Sequence, residues 1–126
     1  MAEAKESKDW FKAIVLCAIQ IERYGYKSLK EYFDSQNINP KLTEKLLKRI
    51  NPKTIAEYLN VIGVITVEEN KTIACLSEER NKFVHRAEGY KYLIGSKANQ
   101  IYEPLIIASI RILEEKLGAV RVHATP

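Results

Sequence analysis

The chain has 126 residues, of which 46% are hydrophobic and 29% charged: enough for one domain and too few for two. Five glycines and four prolines exclude a low-complexity or collagen-like chain, and the apolar content excludes a disordered one. Twenty Lys and Arg against sixteen Asp and Glu leave a net charge of +4, which is mildly basic and does not by itself argue for a nucleic-acid partner.

The N-terminal stretch MAEAKESKD mixes both charge signs and has no signal-peptide pattern. Ser7 or Asp9 is placed to cap a first helix. Its Phe11, Ile14, Val15, Ala18 and Ile21 recur at three- and four-residue spacing, which makes one apolar stripe. The run from Phe11 to Ile21 is interrupted by Lys12 and Gln20, and no apolar run approaches the roughly 18 residues that span a bilayer. The expectation is a cytoplasmic protein with no membrane partner. Glycine ends helices, so the first helix is expected to stop near Tyr24 and Gly25, with a short second one over Ser28 to Gln36.

Asn37-Ile38-Asn39-Pro40 is turn chemistry. Leu42, Leu46, Leu47 and Ile50 mark a third amphipathic segment, closed by Asn51-Pro52. A fourth starts at Pro52 or Lys53, since proline suits a first helical turn, and carries Ile55, Leu59 and Ile62 before Gly63. Val64 to Val67 is β-branched and suits a short extended link. A fifth helix is expected over about Glu68 to Glu88. The last, Tyr102 to Leu117, has Pro104 in its first turn and Gly118 at its end, and apolar residues nearly encircle it. Such a helix is central to a bundle or covered by a second subunit. Ala119 to Pro126 reads as a loose tail. The fold class is all-α, a single-domain bundle of five to six helices.

On the fifth helix Ile73, Leu76, Phe83, Val84 and Ala87 form an apolar stripe, and Arg80 falls in its middle. An arginine there is desolvated unless it is paired or reaches a cleft. Asn81 and His85, four residues apart, share the neighbouring flank. Arginine holds phosphate bidentately and stays charged, while histidine moves a proton near neutral pH. Together they suit metal-independent RNA cleavage, with the ribose 2′-hydroxyl as nucleophile and arginine stabilising the pentavalent phosphate. A helix-end Arg and His at this spacing also serve as an ordinary salt-bridging and capping pair.

Arg80-Asn81-Lys82-Phe83-Val84-His85 resembles the signature of HEPN domains (higher eukaryotes and prokaryotes nucleotide-binding), in which R and a following polar residue precede an H after four to six positions. The likeness extends over about residues 10–118, with a long motif helix and a final apolar helix after it. It implies an HEPN-like bundle that forms a homodimer, with both motifs at one cleft and RNA or a nucleotide as ligand. Many such domains are metal-independent endoribonucleases, including toxins of toxin–antitoxin pairs encoded beside a minimal nucleotidyltransferase antitoxin. Others are non-catalytic nucleotide- or protein-binding dimer modules. By resemblance Arg80 and His85 are the catalytic pair, Asn81 is the polar residue beside them, and no metal or other cofactor is required. Toxins modified by the nucleotidyltransferase often carry tyrosine two positions after the histidine; here Ala87 stands there and the nearest tyrosine is Tyr90.

Lys82 and Arg86 add positive field around this pair, and Tyr90 and Tyr92, flanking Lys91, are candidates to stack on RNA bases. Partly buried packing with the hydroxyl in solvent accounts for the same residues. The charge is segregated. Residues 80–97 hold five cations against Glu88, and residues 41–53 hold Lys41, Lys45, Lys48, Arg49 and Lys53 against Glu44. The second segment opens a stretch, Leu42 to Asn70, that also fits a helix-turn-helix, although its second helix offers few side chains to read bases. Its basic face suits either solvation or guidance of RNA.

Cys17 and Cys75 lie in apolar segments and read as two buried thiols, too few for a zinc cage. His123 falls in the tail, Glu31 and Asp34 have no acid partner, and no phosphate-binding glycine loop or serine nucleophile elbow is present.

Overall fold

A computed structural model describes residues 10–48, 50–85 and 95–119, with side chains at 10–48, 50–82 and 100–119. Those residues form five helices and no strand: α1 (Trp10–Ser35), α2 (Pro40–Leu47), α3 (Pro52–Val61), α4 (Val67–His85) and α5 (Gly95–Glu115). The all-α bundle expected from periodicity is what the chain forms.

The long α1 is the axis of the bundle and packs against each of the other four helices. Its stripe of Ala13, Ile14, Cys17, Ala18, Ile21 and Leu29 is almost fully buried. It meets Ile55, Ala56 and Leu59 of α3, Ile73 and Leu76 of α4, and Tyr102, Ile106, Ile112 and Leu113 of α5 in one core. Fully burying a side chain of this size stabilises the fold by about 1.5–3 kcal/mol.

The expected break at Gly25 does not occur: α1 runs through it, and the separate helix over Ser28 to Gln36 is the second half of α1. Gly25 is buried where α3 comes closest. A β-carbon built there would lie 2.6 Å from Ile55 Cγ2, nearer than such atoms approach. The glycine therefore serves close helix packing rather than termination.

Local chemistry fixes the other boundaries. The Asn39 side chain accepts from the Lys41 N–H at 2.9 Å, with Pro40 in the first turn of α2. Asn51 accepts from the Thr54 N–H at 2.9 Å, with Pro52 opening α3. Gly63, at φ +83°, ends α3 in the left-handed conformation, and the Val64 N–H bonds back to the Leu59 carbonyl at 2.9 Å. Val64 to Val67 is therefore no extended link: Val64 and Ile65 sit in the turn and Val67 opens α4. Thr66 and Glu69 exchange bonds across the start of α4, Glu69 N–H to Thr66 Oγ1 at 3.1 Å and Thr66 N–H to Glu69 Oε1 at 2.8 Å, a capping box.

Glu69 also pairs with Lys116 just past the end of α5 at 3.5 Å, so α4 and α5 run antiparallel. The rings of Trp10 and Tyr102 meet tilted by 44°, with centroids 6.0 Å apart. The last turns of α4 therefore lie at the same end of the bundle as the starts of α1 and α5.

The last helix begins at Gly95, about two turns before the expected Tyr102, so Pro104 is inside it. A proline in mid-helix leaves one carbonyl without its helical donor. The polar run GSKANQ hid this start because it carries no apolar period. Ala119, read as the first residue of a loose tail, is buried and donates to the Leu113 carbonyl at 2.9 Å. Residues 120–126, His123 among them, lie outside the described residues.

Candidate functional site

α4 carries the candidate pair. Its capping box anchors the helix start, and at about 1.5 Å per residue Arg80 stands roughly 20 Å along the axis from Thr66. Ile73, Leu76 and Ser77 are buried in sequence along its inner face. Arg80 follows on that face, its side chain one quarter exposed, as its position in the stripe predicts. Asn81 is exposed on the flank. His85 is the last residue of α4, one turn beyond Asn81; its side chain, with those of Phe83 and Val84, lies outside the described residues. Arg86, Ala87, Tyr90, Lys91 and Tyr92 lie outside them too.

The partner that α1 offers Arg80 is Glu22, at 3.9 Å between the guanidinium and the carboxylate. That separation exceeds hydrogen-bond length and the carboxylate is half exposed, so the pair is weak. Glu22 is a residue that the sequence reading missed. It sits one turn after the buried Ala18, at the edge of the α1 stripe, where a carboxylate borders the helix packed against it. That placement was the available signal.

Lys82 Nζ donates to Glu79 Oε1 at 3.1 Å. The Glu79 side chain is largely buried, and its Oε2 has no hydrogen-bond partner among the described residues. Arg80 and Lys82 are thus each close to a carboxylate, which lowers the positive field that the sequence alone suggests.

The two cysteines differ. Cys17 is buried in the core, and burial pushes its thiol up to about 12. Cys75, expected to be buried, is exposed on α4. Its thiol is raised first by partial desolvation and then by Glu79 and Glu78, with Lys82 opposing. Neither is a low-pKa thiolate of the kind that acts as a nucleophile.

The tyrosines also divide. Tyr32 and Tyr58 are exposed, whereas Tyr102 is buried in the core. α2 and α3 are joined by a short connection as a helix-turn-helix would be, but the exposed side of α3 shows Lys53, Glu57, Tyr58 and Val61. That set has few donors for base edges.

Among the described residues no group of three or more His, Cys, Asp or Glu is placed to hold a metal ion, and no helix is long and apolar enough to cross a membrane. No protein-family model matches the chain, and no curated protein or solved structure matches it either.

Proposed function

We propose that this protein is a metal-independent endoribonuclease of the HEPN type, acting as a homodimer. One observation carries the reading. The Arg80 side chain, one quarter exposed, stands on the apolar face of α4, and its neighbouring carboxylate is beyond hydrogen-bond length. A partly withdrawn guanidinium that no carboxylate holds closely suits a ligand that meets it with two oxygens, and a phosphodiester does so.

In this reading His85 takes the proton from a ribose 2′-hydroxyl as general base. The 2′-oxygen attacks the adjacent phosphorus, and the 5′-oxygen leaves with a proton supplied by a second acid. The pair of motifs in a twofold dimer supplies both groups, His85 of each copy taking one role. Arg80 bears the charge that builds on the non-bridging oxygens. Asn81 orients the histidine or the phosphate, and Lys82, Arg86, Lys91 and Tyr90 hold the RNA on either side.

α5 supports the dimer. Ile101 and Ile107 are about half exposed, and a shallow depression beside them is lined by Gln100, Glu103, Pro104, Ile107, Ala108 and Arg111. Glu103 and Arg111 stand four residues before and after Ile107. Pairing two such faces about a twofold axis buries Ile101 and Ile107 of both copies, with these charges at the rim. Ile101 lies in the first half of α5, toward the motif end of the bundle, so an axis that buries it brings the two α4 ends toward each other.

A second reading, a non-catalytic nucleotide- or protein-binding module, is favoured by the carboxylates Glu22 and Glu79 beside Arg80 and Lys82. The test that separates the two readings is incubation with mixed RNA in EDTA. The nuclease reading expects fragments with 2′,3′-cyclic phosphate and 5′-hydroxyl ends, absent with His85→Ala. The module reading expects intact RNA with both proteins.

A further inference from the structure

Glu22 stands beside the phosphate site and has no role in holding phosphate. Its carboxylate is 3.9 Å from the Arg80 guanidinium, beyond hydrogen-bond length, and its side chain is 49% exposed. Among the described residues nothing donates a hydrogen bond to it. A negative charge in that position repels a phosphate ligand. The repulsion is offset when the same ligand brings donors to the carboxylate, because hydrogen bonds to an ionised acceptor are the strong ones.

The surroundings of Glu22 suit a flat ligand. Ile19 lies three residues before it on α1 and Tyr26 four after, so the three side chains share one face within about 6 Å along the axis on either side. Ile19 is 46% exposed, and Tyr26 is half-buried against the core. Asn81, next to Arg80 on α4, is exposed, as is Arg23 beside Glu22. The carboxylate is thus flanked by an aliphatic side chain and an aromatic ring, with the guanidinium across from it. A nucleobase has the matching pattern, an apolar face that packs on such side chains and a polar edge that carries donors.

The number of donors selects the base. An ionised carboxylate only accepts, through two oxygens side by side. Guanine is the one base of the four with two neighbouring donors on its Watson–Crick edge, N1–H and N2–H. Adenine and cytosine set a ring-nitrogen acceptor beside the amino group, and uracil places its one N–H between two carbonyls, so each turns a lone pair toward the carboxylate. A ribose hydroxyl offers a single donor, and in the nuclease reading the attacking 2′-hydroxyl gives its proton to His85.

We propose that Glu22 is a specificity-determining residue that reads guanine. The base lies along Ile19 and Tyr26, its N1–H and N2–H donate to the Glu22 carboxylate, and Arg80 holds the 3′-phosphate of the same nucleotide. Guanine recognition here rests on Arg80 being the phosphate holder, and it makes guanosine the nucleotide on the 5′ side of the cut.

The probes are the four ribonucleoside 3′-monophosphates, which carry base and phosphate but no internucleotide bond to cleave, titrated calorimetrically against the full chain in EDTA at low salt. Guanosine 3′-monophosphate should bind with Kd on the order of 100 μM, and about tenfold or more tightly than the other three. Its 2′-deoxy form should bind alike, while inosine 3′-monophosphate, which lacks the N2 amino group, should bind about threefold or more weakly. Glu22→Gln sets an amide donor against one of the guanine donors and should bring the four nucleotides to within about threefold of one another. With a 5′-labelled RNA in EDTA, the cuts should map to the 3′ side of guanosines.

Equal binding of the four nucleotides overturns the inference, as does a guanine preference that Glu22→Gln leaves unchanged. Loss of binding in the 2′-deoxy form, with no difference among the bases, overturns it by making the ribose the partner of Glu22. RNA cleavage without base preference overturns it and leaves the nuclease reading in place. Guanine-selective binding that Glu22→Gln abolishes, without any cleavage, supports it, and the nuclease reading alone then fails.

Discussion

Arg80 shows how far a single residue reads from sequence. Its place in an apolar stripe marked it as a cation in need of a partner, and the side chain is indeed mostly withdrawn from water. The identity of the partner was not legible, because Glu22 lies 58 positions away on another helix and only packing of α1 on α4 brings them together. The pair is 3.9 Å apart and half exposed, so it contributes under about 1 kcal/mol to stability. Glu22→Gln should therefore shift the melting temperature by less than about 4 °C. The same change removes a negative charge beside the guanidinium, and affinity for a short guanine-free RNA at low salt should rise about two- to fivefold. Anisotropy titrations of both proteins check this, and an unchanged or lower affinity would show that Glu22 does not compete with the ligand.

Helix periodicity made most of the elements legible. The asparagine caps at Asn39 and Asn51 and the prolines behind them are local signals, and both operate in the structure. What misled was a residue type with two uses. Glycine terminates α3 at Gly63, yet at Gly25 it lets α3 approach α1, and the sequence does not distinguish these until the neighbour is known. The two effects of Gly25→Ala oppose each other. Alanine favours the helix by about 0.5–1 kcal/mol, while the clash with Ile55 Cγ2 costs about 1–3 kcal/mol. The clash should win, and urea unfolding should show a net loss of about 0.5–2 kcal/mol. Ile55→Leu removes the β-branch that the new methyl meets, so in that background the alanine should be neutral or stabilising. A stabilised Gly25→Ala in the unmodified background would contradict the close-approach account.

At the scale of the molecule, the segregated charge belongs to two places. The row of Lys41, Lys45 and Lys48 lies exposed on α2, and Arg80 with Lys82 lies on α4 beside Glu22 and Glu79. Length and net charge did not separate these; helix packing did. The proposed dimer is also a property of the whole molecule. Sedimentation equilibrium should show a dimer, and Ile107→Glu, which puts like charges at the centre of the α5 face, should give a folded monomer. A dimer that survives this change would move the interface elsewhere. The claim on which the functional reading turns is that Arg80 and His85 cleave RNA without metal. The direct measurement is the rate at which purified protein degrades a 5′-labelled RNA in excess EDTA, for the unmodified chain, Arg80→Ala and His85→Ala. The account predicts cleavage in EDTA by the unmodified chain and a loss of at least about 100-fold in either variant. Equal cleavage by all three proteins, or none by the unmodified chain, would contradict it.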